Sequence, residues 1–274
     1  MIPVLGEPPP YDAPQGTASG VPRLALVTSP APTDRAPDTV EAAGSEPGRQ
    51  DPRPLPTAVL WDMDGTLIDS EPYWIAEEHA LVQAYGGTWS DEQAHALVGN
   101  PLEVSAQYII DHSPVTLTVT AVVERLMRGV MARVEQEVPW RPGAPELLAA
   151  CRSVGIATAL VTMSWKPFTD LLLRVLPPGS FDVVVPGDAV ANGKPHPEPY
   201  LTALRLLNVE AADCVAIEDS PAGVRSAAAA GVPTIAVPHI VPVPRIAGAV
   251  QVPTLAGLRP EDLLPLLDAA VRQG

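Results

Sequence analysis

At 274 residues, with 32 acidic against 17 basic side chains and a formal net charge of -15, the chain is long enough for one large domain or two modest ones. The acidic balance argues against a nucleic-acid surface, which needs clustered Lys and Arg to neutralise phosphates. It does not exclude an anionic substrate, because a bound divalent cation reverses the field inside one pocket. Cys151 and Cys214 sit in apolar segments and read as buried free thiols, so neither a disulfide framework nor a cysteine metal site is expected. The start lacks the basic-then-apolar pattern of a secretory signal, and no apolar stretch has bilayer-spanning length, so a soluble cytoplasmic protein is expected.

Residues 1–54 carry 12 of the 34 prolines among scattered Gly, Ser, Thr and Asp, with no lasting period, and are expected to form a poorly ordered tail. Within it, Leu24 to Val27 is apolar enough for a short contact or an edge strand. The pattern changes at Ala58-Val59-Leu60-Trp61, an apolar run that reads as a buried strand. From about Ser70 to Trp140 come helical patterns around 74–85, 91–98, 103–110 and 119–138 without strand alternation. They are expected to form an all-helical insertion after the first strand. Helices and strands then alternate: helix 144–154, strand 156–161, helix 167–176, strand 181–185, helix 197–207, strand 214–217, helix 222–230 and strand 234–237. That order predicts a parallel sheet covered on both faces. Residues 250–267 complete it with an edge strand and a helix. The expected domains are a tail (1–54), an α/β core (55–69 and 141–274) and a helical cap (70–140).

In such sheets ligands gather beyond the carboxyl ends of the strands. Asp62 and Asp64 follow the first strand directly, where one carboxylate can attack in line and the other can protonate the departing oxygen. Gly65 permits a tight turn with close phosphate approach, Thr66 is suited to hold that turn with its hydroxyl, and Met63 offers its backbone amide. Thr162, after the second strand, has a hydroxyl for a phosphoryl oxygen, with backbone donors near Met163 and Ser164 completing a cradle; read alone, it is a helix-cap candidate. Lys194, in Asn192-Gly193-Lys194-Pro195, supplies fixed positive charge, while neighbouring His196 reads as a surface or capping residue. Glu218-Asp219 opens the helix entrance Ser220-Pro221-Ala222-Gly223. Magnesium prefers such hard oxygen ligands, and the expected set is Asp62, Asp219 and the backbone oxygen of Asp64, with Glu218 acting through water or orienting the shell. The plainer alternative is an acidic pair favoured by a helix dipole.

Taken together, Asp62-Met63-Asp64-Gly65-Thr66, Thr162, Lys194 and Glu218-Asp219 resemble the motifs of the haloacid dehalogenase-like (HAD) hydrolase superfamily, in its branch with a helical cap after the first core strand. The resemblance spans approximately residues 56–274. It implies a Rossmann-like α/β core with an inserted helical cap, Mg2+ as cofactor, an aspartyl-phosphate on Asp62 and Asp64 as general acid and base. It also implies Thr162 and Lys194 at the phosphate and Glu218-Asp219 at the metal. The implied activity is hydrolysis of a small phosphorylated metabolite, as in phosphoglycolate phosphatases. Asp64 argues against dehalogenation, and the absence of lysine from 70–140 argues against an imine-forming phosphonate hydrolase.

A β-phosphoglucomutase-like activity is the alternative, and a catalytically silent binding protein a more distant one. Mutases of the branch carry a cap arginine after a Gly-containing turn. Here the turn reads Val98-Gly99-Asn100-Pro101-Leu102-Glu103, which leaves Arg125, Arg128 or Arg133 to serve from another helix. Tyr73, Trp74, His79 and Asn100 are candidates to touch the leaving group, although aromatic residues at helical spacing more often pack a core. Lys166 is either a specificity residue or an ordinary surface lysine. No membrane or nucleic-acid partner is expected, and the sequence leaves monomer and homodimer open.

Overall fold

The computed structural model describes residues 55–271, with side chains to residue 268; the 1–54 tail and the Leu24 to Val27 segment lie outside the described residues. Strand β1 (Ala58–Trp61) is fully buried along its length, as a strand covered on both faces must be. Val59 and Trp61 face one apolar cluster and Ala58 and Leu60 the other, the period-2 alternation of a strand.

Strands β2 (Ala157–Val161), β3 (Val183–Val185), β4 (Cys214–Glu218), β5 (Thr234–Ala236) and β6 (Ala249–Gln251) join it in one sheet of order β3-β2-β1-β4-β5-β6. Every pairing is parallel. Leu60 lies opposite Ala159 on one side and Ala216 on the other. The chain moves outward from β1 through β2 to β3 and then returns to β4 on the far flank of β1. That reversal makes the carboxyl end of β1 the topological switch point where a crevice forms. The expected α/β class, a Rossmann-like sheet with a helical insertion, is the observed one.

Five helices intervene between β1 and β2, and the first four make up the insertion: α1 (Glu71–Ala84), α2 (Asp91–His95), α3 (Leu102–Asp111) and α4 (Val119–Gln136). Helix α4 buries Val122, Val123, Leu126, Met127, Val130 and Val134, a stripe at helical spacing, and Thr118 caps its start by accepting from the Ala121 amide at 3.3 Å. A reciprocal Ser90–Gln93 capping box starts α2. Helices α5 (Ala144–Ser153), α6 (Lys166–Val175), α7 (Glu198–Leu207), α8 (Pro221–Ala229) and α9 (Leu263–Val271) accompany the sheet. Helix α1 begins three residues before its sequence-expected start because Pro72 sits in its first turn, where a missing N–H costs nothing.

The two chain crossings between sheet and inserted helices lie side by side. Ile68 bridges Trp140 antiparallel, Asp69 N donates to Pro139 O at 2.6 Å, and Arg141 N donates to Leu67 O at 3.0 Å. His239 clasps this ribbon: its Nε2 meets Asp69 Oδ1 at 2.7 Å and its Nδ1 meets Arg141 at 2.8 Å. Arginine can only donate, so Nδ1 accepts and the ring proton resides on Nε2.

Cys151 and Cys214 are buried free thiols. Burial pushes them up to about 12 and about 11, which leaves them inert at neutral pH. No described helix is long and apolar enough to cross a membrane.

Candidate active site

Asp62 leaves β1 with its amide still bonded to Ile217 O at 3.0 Å, so its side chain emerges at the switch point. Its Oδ1 accepts from Lys194 Nζ at 2.6 Å; its buried Oδ2 has no hydrogen-bond partner. Lys194 comes from the loop after β3 and is buried to 2 % exposure. Its ammonium also donates to Glu218 Oε1 at 2.7 Å and to Val161 O at 2.9 Å, which uses all three protons. Burial alone would lower its pKa, but the charges of Asp62 and Glu218 outweigh that and raise it, so Lys194 is a fixed cation.

Asp64 points into the same cavity and is surrounded by donors. Oδ1 accepts from Ser70 Oγ at 2.5 Å and Trp74 Nε1 at 3.2 Å; Oδ2 meets Ser164 Oγ at 2.7 Å and Thr162 Oγ1 at 3.3 Å. Burial raises its pKa, the hydrogen bonds from Ser70, Ser164 and Trp74 offset part of that rise, and the Asp62 charge adds to it.

Glu218 ends β4 and Asp219 follows it directly. One carboxylate oxygen from each of Asp62, Glu218 and Asp219 lies within 4.8 Å of the others. Buried Asp62 Oδ2, Asp219 Oδ2 and Glu218 Oε2 accept no hydrogen bond. Burial, followed by the charges of Asp62 and Glu218, raises Asp219 well above the usual carboxylate range. A concentration of unpaired hard oxygens beside a single ammonium fits a divalent cation, whose charge would relieve the repulsion.

Gly65 makes this approach feasible. It adopts φ +83°, and a Cβ there would stand 2.0 Å from Asp219 Oδ2. Glu218 does not line the cavity; it stands behind Lys194, and its Oε1 also accepts from Tyr200 OH at 2.6 Å.

The structure brings Asp62, Asp64, Thr162, Met163, Lys194 and Asp219 around one cavity, with Trp74 and Asn100 on its helical wall. Four expectations need correction. The Gly65 amide is not free for phosphate, because it donates to Ile68 O at 2.8 Å. Thr66 Oγ1 is buried without a partner, so backbone bonds from Leu67 and Ile68 to Met63 O hold the turn. The Ser164 amide is used on Thr162 Oγ1 at 3.0 Å, which leaves the Ser164 hydroxyl facing Asp64.

The last correction concerns the proposed substrate contacts, of which Tyr73, His79 and Lys166 do not line the cavity. His79 is 3.3 Å from Asp91, Lys166 reaches Asp170 at 2.7 Å, and the Tyr73 ring lies beneath the Arg133 guanidinium at 5.8 Å. Arg125, Arg128 and Arg133 are all exposed and outside the cavity lining, and Arg133 is tied to Glu77 at 3.0 Å.

Sequence reasoning missed Ser70, Tyr200 and the hydroxyl role of Ser164, three hydroxyls that fix the key carboxylates. It also missed Glu71 and Glu78, two buried carboxylates of α1 that line the cavity. A signal for the latter pair was present: with Trp74 they occupy positions i, i+3 and i+7 of one helix face, interrupting an otherwise apolar stripe.

The inserted helices close over the sheet. A Cβ on Gly99 would lie 2.7 Å from the Ser220 side chain, and one on Gly193 would lie 2.8 Å from Pro101. Trp74 meets Phe168 edge-on at 6.1 Å, and Trp165 donates to Glu103 at 3.2 Å.

The family model described as haloacid dehalogenase-like hydrolase matches residues 59–237. A phosphorylated carbohydrates phosphatase of Thermotoga maritima is 31 % identical over 179 residues, covering 65 % of this chain and 83 % of its own. Hexitol phosphatase B of Escherichia coli is 30 % identical over 190 residues, covering 66 % and 83 % respectively. CbbY of Rhodobacter sphaeroides, solved in complex with xylulose-(1,5)bisphosphate, is 29 % identical with a TM-score of 0.69, covering 74 % of this chain and 96 % of that one. With its acidic switch point, parallel sheet and helical insertion, this chain belongs to the haloacid dehalogenase-like hydrolase family, and the phosphatase class expected for it is the class that its relatives carry in their names.

Proposed function

We propose that this protein is a magnesium-dependent phosphomonoester hydrolase of small phosphorylated carbohydrates that carries the phosphoryl group transiently on Asp62. The observation that carries this reading is the division of labour at the end of β1. Asp62 is gripped through one oxygen by Lys194 and has its other oxygen unpaired, while Asp64, two residues on, is held by four side-chain donors with its pKa raised by burial. The phosphatase names of the Thermotoga and Escherichia relatives support the substrate class.

In the first half-reaction a carboxylate oxygen of Asp62 attacks phosphorus, the bond to the leaving oxygen breaks, and that oxygen takes the proton of Asp64. In the second, Asp64, now a carboxylate, takes a proton from water as the water oxygen attacks phosphorus. Inorganic phosphate departs and Asp62 is restored. Lys194 and the Thr162 hydroxyl stabilise charge on the transferring oxygens, and Ser70, Ser164 and Trp74 aim Asp64. Glu218 and Tyr200 position Lys194 from behind. Closure of the inserted helices excludes bulk water. A magnesium ion held by Asp62, Asp219 and the Asp64 carbonyl, with Glu218 in its outer shell, would supply Lewis-acid neutralisation of the carboxylate and phosphoryl charge.

A mutase must retain a bisphosphate while it reorients, which needs cationic groups at both ends of the cavity. Among the described residues lining the cavity, Lys194 is the only Lys or Arg, and it is committed to Asp62. The test is phosphate release from sugar phosphates, polyol phosphates, phosphoglycolate and nucleoside monophosphates, with Mg2+ and with chelator. Metal-dependent release is expected. Isomerisation of a sugar phosphate without release would overturn the hydrolase reading in favour of the mutase.

A further inference from the structure

The wall of the cavity opposite the sheet has a charge pattern that phosphate chemistry does not explain. Helix α1 presents Glu71, Trp74 and Glu78 along one face, and these three side chains are at most 7 % exposed. Glu71 and Glu78 are two helical turns apart, roughly 10 Å along the axis, so Glu78 lies well beyond the reacting end. The other polar side chains that the inserted segment adds to the lining, Trp74 aside, are Asn100 and Ser105, both neutral.

Glu78 is held as a built contact would be. Its Oε2 accepts from Trp89 Nε1 at 3.1 Å, and Trp89 is itself 7 % exposed and braced edge-on by Tyr108 at 6.0 Å. Oε1 takes no donor from any described residue. A buried carboxyl with one oxygen fixed and the other facing a cavity is a directional hydrogen-bonding group.

We propose that Glu78 is a specificity-determining residue that hydrogen-bonds a hydroxyl at the far end of the leaving group, so that the enzyme takes monophosphates of uncharged polyhydroxy compounds and rejects esters whose far end is anionic. This rests on the hydrolase reading above and sharpens it. A hydroxyl donates and accepts, and so matches Glu78 in either protonation state. Burial, against the Trp89 bond, pushes Glu78 up to about 8, so both states are accessible near neutral pH. A second phosphate or a carboxylate at that end would be desolvated beside Glu78 with no second lining cation to receive it. When Glu78 is ionised, like-charge repulsion adds to that cost.

The test uses three open-chain six-carbon esters that share the phosphate end and differ at C1: glucitol 6-phosphate, 6-phosphogluconate and glucitol 1,6-bisphosphate. Phosphate release by the full chain with Mg2+ gives kcat/KM for each, and calorimetry on Asp62→Asn protein gives binding without turnover. Glucitol 6-phosphate is expected to exceed both anionic esters by at least about tenfold in either readout, a discrimination of roughly 1.4 kcal/mol. Glu78→Gln keeps an acceptor for Trp89 and retains a hydroxyl contact. At about pH 9, where Glu78 is ionised, it should therefore leave glucitol 6-phosphate within a few-fold while narrowing the gap to the anionic esters by about tenfold. Glu78→Leu should lower glucitol 6-phosphate most of all.

A bisphosphate handled as well as the neutral ester, or a Glu78→Gln protein whose ratios do not move at about pH 9, overturns the proposal. Selective binding without hydrolysis of any ester would defeat the hydrolase reading and leave the Glu78 assignment standing.

Discussion

Lys194 Nζ lies 2.6 Å from Asp62 and 2.7 Å from Glu218, three buried charges contributed by a loop and two neighbouring strands. One ammonium thus serves two carboxylates, and its removal strands both. Lys194→Met should reduce phosphate release at least a hundredfold, and breaking buried pairs of this kind costs about 3–5 kcal/mol. Lys194→Arg should not rescue activity, since a planar fork cannot occupy the three-donor position of an ammonium. Activity within tenfold of wild type in the methionine variant would remove Lys194 from the mechanism.

Asp64→Asn tests the acid. General acid catalysis contributes roughly a hundredfold to ten-thousandfold, and that loss is expected for alkyl phosphates. With p-nitrophenyl phosphate the leaving group needs no proton, so a burst of nitrophenol in the first turnover should survive. Equal loss of that burst for both kinds of ester would point to a structural rather than a proton-donating role.

The cation site has a readout independent of turnover. Magnesium that binds only the folded chain raises its melting temperature, at 100 times Kd by about 2.7 kcal/mol of stabilisation. Asp219→Asn should abolish the shift, and Gly65→Ala should weaken it because the added Cβ collides with Asp219 at a φ of +83°. A full magnesium shift in Asp219→Asn protein would exclude that carboxylate as a ligand.

Glu78 also leaves a mark on stability. Burial raises its carboxyl from 4.5 to about 8 in the folded protein, so between those values the folded chain binds the proton more tightly than the unfolded one. The stability it contributes is therefore present below pH 4.5 and lost as pH rises towards 8. Glu78→Gln cannot ionise and escapes this loss, so its melting temperature relative to wild type should climb across that window. A gap that stays flat from pH 4.5 to 8 would show that Glu78 ionises as freely in the folded chain as in the unfolded one.

Much of the catalytic side was legible because it is written in short, local motifs. A buried apolar strand followed by Asp62-Met63-Asp64 places two carboxylates at a strand end whatever the rest of the chain does. The same holds for Thr162 after β2 and Glu218-Asp219 after β4. Lys194 was legible from its Asn192-Gly193-Lys194-Pro195 turn and the need for a fixed cation, and the resemblance reinforced that reading.

The residues that serve these groups were harder to read. Ser70, Ser164 and Tyr200 are single hydroxyls whose partners lie 6, 100 and 18 positions away. Tyr73 and His79 were plausible by type, but helix phase turns them aside, whereas Glu71 and Glu78 share the phase of Trp74. An acidic residue on a helix ordinarily signals solvent, and only the tertiary packing reverses that meaning here.

The paired crossing at Ile68 and Trp140, clasped by His239, joins the inserted helices to the sheet through one two-stranded ribbon. Asp62, Lys194 and Asp219 stand on one side of that joint; Trp74, Asn100 and Glu78 stand on the other. Under the hydrolase and Glu78 proposals, bond-breaking rests mainly on the sheet side and leaving-group choice on the inserted helices, with Trp74 reaching across to Asp64 at 3.2 Å. Substitutions along α1 beyond Trp74 would then retune which ester is accepted while Asp62 and Lys194 keep their geometry, which makes that stretch the place to redesign the protein for a new substrate.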